Sequence, residues 1–395
     1  MQDPIRSIRE ALDFLADGDE TASSTDSEHE PESTRFFGSA LDALKSVAPE
    51  GSTVNAVGFD SLDSFLRAGY RVTDGDADVA IARGGEREFA LARKLACRKL
   101  VLVPTHAYAS SATERYRTAD GAYAVMKHGK KPNAVSFDRN DTDRNLASVF
   151  GEIAALDLDA FDLTFGAQMR GERTDNALTE EVAELVTDTT NKLRGVVKDR
   201  AACAEILIES GKTAARITER HPALLHASGA AQTAEALRML YSAEERELGM
   251  RGETEFMLAG IVTDFYIKKL NESDAAFPPD NNKRIDRLCE YFATDVRRTC
   301  VYMSAVYPPF KMRLYEYRRT EFRAEQCAML AAVKRRQLAA APVFKRLYPD
   351  DGYGLKTLID KTDLPVCIAL APDVFASDTL LTFFKQTGKL EKYLV

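Results

Sequence analysis

The run from Ala77 to Thr105 restricts this 395-residue chain more than any other stretch. Asp78 to Ala82 reads as a short buried strand, and Arg83-Gly84-Gly85 as a turn. Glu86 to Cys97 has helical spacing, with Phe89, Ala90, Ala92 and Ala96 as its apolar positions. Leu100 to Val103 is a second apolar run, stopped by Pro104. Strand, glycine turn, helix and strand make one βαβ unit, the crossover that a parallel strand pair requires. A turn of this kind gathers free backbone N–H groups at a helix N-terminus, where a phosphate can sit.

The flanking chain divides by pattern. Asp3, Pro4 and the apolar face Ile5, Ile8, Leu12 and Leu15 predict a first helix. Asp17 to Thr34 is acidic, without Lys or Arg, and reads as a loosely ordered segment; a docking role for a basic partner is the alternative. Phe36 to Leu44 predicts a helix, Thr53 to Phe59 a strand, Leu62 to Ala68 a helix and Asn133 to Phe137 a further strand. Beyond Asp141 strand signals nearly vanish. Helical patterns span roughly 145–169, 179–220, 229–241, 253–270, 283–302 and 311–339, with shorter ones between 354 and 390, and Cys367 to Leu370 ambiguous. The expected fold class is therefore an α/β N-terminal domain with a parallel sheet, followed by an all-α C-terminal domain. The expected boundaries are 1–34 for the leading helix and acidic segment, 35–140 for the α/β domain and 141–395 for the helical one.

Composition bears on partners. A net charge of −8 argues against nucleic acid, and no 18-residue apolar run is present to span a membrane. The start lacks the basic and apolar regions of a secretory signal, which gives a cytoplasmic expectation. Six scattered cysteines without a CxxC pair read as reduced thiols. A Walker A loop, a GxSxG elbow and an HExxH helix are all missing from the sequence. A homo-oligomer is compatible with all of this.

Four local matches then carry a resemblance. Ala82-Arg-Gly-Gly-Glu-Arg-Glu-Phe resembles a GGGS-x-x-D loop and helix, and Val103-Pro-Thr-His-Ala-Tyr-Ala-Ser-Ser a VPTTAS segment. Ser228-Gly-Ala-Ala-Gln-Thr-Ala-Glu-Ala-Leu is similar to an SGSEH-x-x-x-H-x-L helix, and Met250-Arg-Gly-Glu to an HGE start. In this order they resemble the superfamily of iron-containing alcohol dehydrogenases, glycerol and glycerol-1-phosphate dehydrogenases and 3-dehydroquinate synthases. The tail around Asp378-Thr-Leu-Leu-Thr is most like the glycerol-1-phosphate dehydrogenase branch. The resemblance implies a Rossmann-like nucleotide domain, NAD or NADP as cofactor, a divalent metal and a polyol or polyol-phosphate substrate. A sugar-phosphate cyclase of the 3-dehydroquinate synthase type is another reading, and a non-catalytic paralogue that binds an anionic small molecule or a partner is a third.

The family's metal ligands, one Asp and two His, fall here on Glu152, Gln232 and Arg251. Glutamine is a poor ligand for zinc or iron and a guanidinium is none, so metal-dependent activity is expected to be weakened or lost. Arg251 and Glu152 are expected to form an ion pair in the former metal site, with Arg251 gripping a phosphate or carboxylate. In the nucleotide loop Glu86 takes the serine position, while Arg83, Gly84, Gly85, Arg87, Thr105 and Tyr108 are the candidate cofactor contacts. His106, at the end of a strand, is a candidate acid or base alongside Arg251 and Glu152. His226 reads as a surface or loop histidine.

Overall fold

Alternation at every second residue builds the sheet. In β4 (Ala77–Gly84) and β5 (Cys97–Pro104), Val79, Ile81, Val101 and Val103 point to one face, and Ala80, Ala82, Leu100 and Leu102 to the other. Both faces are buried, as a parallel sheet requires. The computed structural model describes residues 34–112, 115–120, 123–128, 130–172, 174, 176–243, 250–272, 281–291, 320–348, 363–374 and 377–394. The remaining strands of the sheet are β1 (Arg35–Phe37), β2 (Thr53–Val57), β3 (Arg71–Val72) and β8 (Ala134–Ser136). Their order is β1-β8-β5-β4-β2-β3, and every pairing is parallel. A separate antiparallel hairpin joins β6 (Arg115–Asp120) to β7 (Tyr123–His128).

One face of the sheet is covered by α1 (Ala40–Val47) and α2 (Asp63–Arg67), through Ala43, Leu44 and Phe65. The other carries α3 (Glu86–Lys94), whose Phe89 and Ala92 belong to a core that runs without a break into the helical half. After the short α4 (Arg139–Arg144), that half is built on α5 (Leu146–Arg170), a helix buried on nearly all sides and therefore central. Around it lie α6 (Asn176–Val196), α7 (Arg200–Arg220), α8 (Gly229–Ala243), α9 (Arg251–Asn271) and α11 (Thr320–Leu347). Three further helices are α10 (Asn281–Tyr291), α12 (Asp363–Val374) and α13 (Leu380–Gln386).

The α/β layer followed by helices is the expected fold class, but several elements differ. Arg35–Phe37 is a strand at the sheet edge and not the start of a helix. Helix formation waits for Ser39, whose hydroxyl accepts from the Asp42 N–H. The pattern over 179–220 is two helices, because the Asp199 carboxylate caps a new start on the Ala202 N–H. Cys367 to Leu370 lies inside α12. Strand β3 and the β6–β7 hairpin have no counterpart in the sequence reading. The proposed helix near Ile5, the acidic segment before Thr34, and the chain from 292 to 319 lie outside the described residues. The five described cysteines are free thiols. No helix among the described residues is long and apolar enough to cross a membrane.

Candidate functional site

Two glycines place the centre of the site. A Cβ on Gly151 would lie 2.3 Å from the Gly252 carbonyl oxygen, and one on Gly252 only 2.0 Å from that of Ser148. Helices α5 and α9 therefore cross with their backbones touching. This brings Arg251, the first residue of α9, to the side of α5 that carries Glu152.

Arg251 meets Glu86 there. Glu86 opens α3, across from the helical half, and its Oε2 accepts from Arg251 Nη1. Its Oε1 lies 2.6 Å from His226 Nε2. Arg251 Nε donates to Glu255 Oε1 at 2.7 Å, one helical turn on, and the same oxygen is 3.3 Å from His226 Nδ1. Arg238 Nη1 pairs with Glu235 at 3.3 Å on α8. Among the described residues, the Nη2 atoms of Arg238 and Arg251 are buried without a hydrogen-bond partner.

Electrostatics follow from this packing. Burial pushes the Glu86 carboxyl upward, but Arg251 and His226 outweigh it and hold the group at about 2. Glu255 is likewise held well below the usual carboxylate range by Arg251 and His226. Burial and the Arg251 charge depress His226, yet Glu86 and Glu255 win and raise it. His226 is also the one described non-glycine residue with positive φ, at 54°, a backbone state that costs a residue with a Cβ.

The expected ion pair between Arg251 and Glu152 does not form. Glu152 instead accepts the backbone N–H groups of Tyr108 at 2.6 Å and Ala109 at 3.2 Å, fastening the loop after β5 to α5. A carboxylate that finds two backbone donors has no need of the guanidinium, and Arg251 is already taken by Glu86 and Glu255. His226 is not at the surface either: its side chain is 4% exposed. It was missed because spacing from Gln232 says nothing of a loop residue's contacts across the fold. The better signals were Arg251 with Glu255 at i,i+4 and Glu235 with Arg238 at i,i+3.

Gln232 is buried in the first turns of α8. Its Oε1 accepts from Thr379 at 2.7 Å, and its Nε2 is 3.3 Å from the Thr382 hydroxyl. With an amide and a guanidinium at two of the three positions where the resemblance puts metal ligands, the residues do not fit a zinc or iron ion. Among the described residues no group of three or more His, Cys, Asp or Glu side chains is placed to hold a metal.

The glycine turn is filled by its own chain. The Gly85 N–H donates to Glu88 Oε2 at 2.9 Å, and a Cβ on Gly84 would strike that carboxylate. The His106 ring lies against Gly85, with Nε2 2.4 Å from where a Cβ would stand, and Nδ1 is 2.8 Å from the Thr105 hydroxyl. Burial lowers the His106 pKa, favouring the neutral ring. Arg83 is held by Asp141, Arg87 is exposed, and Tyr108 is buried against Phe137 with its hydroxyl on Thr142. Two carboxylates at the turn and an amide already used do not fit a dinucleotide pyrophosphate. At the carboxyl ends of the strands a cavity of about 270 Å³ is lined by Phe59, Asp60, Ser61, Arg83, Asp138 and Asp141.

A row of buried acids on α5 anchors the rest. Asp159 accepts the Ser228 N–H at 2.9 Å. Asp162 accepts the N–H groups of Gly229 and Leu380 and the Tyr266 hydroxyl at 2.8–2.9 Å. Burial raises Asp159 to about 6, Asp162 to about 7 and Glu152 to about 8. The folded state thus keeps protons that the unfolded chain loses near pH 4, so these groups favour folding most below pH 4. Their contribution falls as pH rises toward 8. Urea unfolding is expected to give lower stability at pH 8 than at pH 5.5; equal or higher stability at pH 8 would count against these assignments.

No protein-family model matches the sequence, and no curated protein does. Solved structures do match in three dimensions. A 1,3-propanediol oxidoreductase superposes with a TM-score of 0.52 at 11% identity, over 91% of this chain and 98% of the other. A variant of an archaeal halo-thermophilic Red Sea brine pool alcohol dehydrogenase gives 0.51 at 10% identity, over 94% and 100%. The chain shares the fold of these two oxidoreductases.

Proposed function

We propose that this chain is a polyol- or polyol-phosphate-oxidoreductase-like protein of the glycerol-1-phosphate dehydrogenase type in which metal-dependent hydride transfer has been lost or weakened, and that its cleft binds a small anionic ligand. The supporting observation is the Arg251 guanidinium, held between Glu86 and Glu255 where the resemblance puts a metal-binding histidine. A guanidinium offers planar, paired N–H donors suited to carboxylate and phosphate. It can polarise an oxygen, but it cannot coordinate one as a Lewis acid does.

The second reading is an active NAD(P)-linked oxidoreductase. It is favoured by His106, a neutral imidazole beside the glycine turn. Thermal shift separates the two. A ligand at 100 times its dissociation constant stabilises the folded state by about 2.7 kcal/mol. Inorganic phosphate is expected to raise Tm by a few degrees, while NAD, NADP, zinc and ferrous iron leave it unchanged. A shift with nucleotide together with polyol-dependent reduction of that nucleotide would replace the first reading with the second.

A further inference from the structure

The ion cluster in the cleft has a charge balance and two unused donors, and the two facts bear on each other. Arg238, Arg251 and His226 face Glu86, Glu235 and Glu255. With His226 protonated between two carboxylates, three cations meet three anions. An added anion in such a buried site would be uncompensated, so it enters only if an acidic side chain leaves.

Glu86 is the one built to leave. Its side chain is 13% exposed, against 4% for Glu255 and 5% for Glu235. Glu255 and Glu235 sit on the same helices as the arginines they pair with, whereas Glu86 reaches over from α3. Its departure breaks only contacts that cross between the sheet layer and the helical half. What it vacates is larger than what it fills. Its two oxygens engage Arg251 Nη1 and His226 Nε2, and leave the Nη2 atoms of Arg238 and Arg251 bare. A phosphate ester, with three terminal oxygens in a tetrahedral array, has the acceptors that a flat carboxylate lacks.

We propose that the cleft takes a phosphate monoester by exchange: the phosphate displaces the Glu86 carboxylate from Arg251 and His226 and spreads onto the unpartnered Nη2 donors of Arg238 and Arg251. This rests on the reading of the cleft as an anion site. Glu86 is then a tethered stand-in for the ligand, and binding releases the contact that ties α3 to α9.

Calorimetric titration at fixed ionic strength tests it, with inorganic phosphate and acetate as probes on the wild type, Glu86→Gln, Arg238→Gln and the double variant. Glu86→Gln, which removes the competing charge, is expected to bind phosphate about tenfold more tightly than the wild type. Arg238→Gln, which leaves the Glu86 contacts intact, is expected to weaken phosphate about tenfold in either background. That variant keeps the test sound if Glu86→Gln fails to fold. Phosphate binding to the wild type that Glu86→Gln does not tighten would overturn the exchange and leave the anion site standing. Acetate binding as well as phosphate in Glu86→Gln would overturn the choice of phosphate. No binding of either anion to any of the four proteins would remove the anion site and the exchange together.

Discussion

Arg251→Ala is expected to destabilise the protein by about 3–5 kcal/mol, because it strands two buried carboxylates that depend on one guanidinium. Glu86 and Glu255 both contact Arg251; without it His226 is left as a single charge in contact with two carboxylates, and Arg238 is already paired with Glu235. Urea unfolding at pH 7 measures the loss. Arg251→Lys keeps the charge but not the fork, so it should fall between the wild type and the alanine variant. Pairing Arg251→Met with Glu86→Gln should recover 1 kcal/mol or more relative to the sum of the single changes, as expected for residues in direct contact. A cost below about 1 kcal/mol for Arg251→Ala would mean that solvent screens the cluster as it does a surface ion pair.

Asp162→Ala ranks second. The carboxylate holds the first N–H of α8, the first N–H of α13 and the Tyr266 hydroxyl, all buried. Each donor left without an acceptor costs about 1–3 kcal/mol, so a total of about 3 kcal/mol or more is expected. Amide exchange reports this directly: Gly229 and Leu380 should lose protection together, while the amides of β4 and β5 keep theirs. Unchanged exchange at both positions would mean that the anchoring of α8 and α13 lies elsewhere.

The backbone of the fold was plain in the sequence because period-2 and period-3.6 patterns are local. The βαβ unit from Ala77 to Pro104 and the central helix beginning near Asn145 stand within three residues of where those patterns end, the helix stopping at Lys94 and the second strand already starting at Cys97. The edge strand Arg35–Phe37 was not plain, since three residues carry no period and their state is set by pairing with Ala134–Ser136. The site divides in the same way. That Arg251 stands where the resemblance puts a metal ligand could be read from its place in a motif. That its partner is Glu86 and not Glu152 could not, because the choice depends on Glu152 finding two backbone donors on the loop after β5. The role of His226 likewise comes from a turn that brings its ring between carboxylates from α3 and α9.

The guanidinium between Glu86 and Glu255 has a consequence for how the molecule matures. A positive centre encoded as a side chain is complete when translation ends: it waits for no loading step and is present once in every copy. Chelators cannot strip it, oxidants cannot change its valence, and a more tightly binding competitor in the Irving–Williams order has nothing to displace.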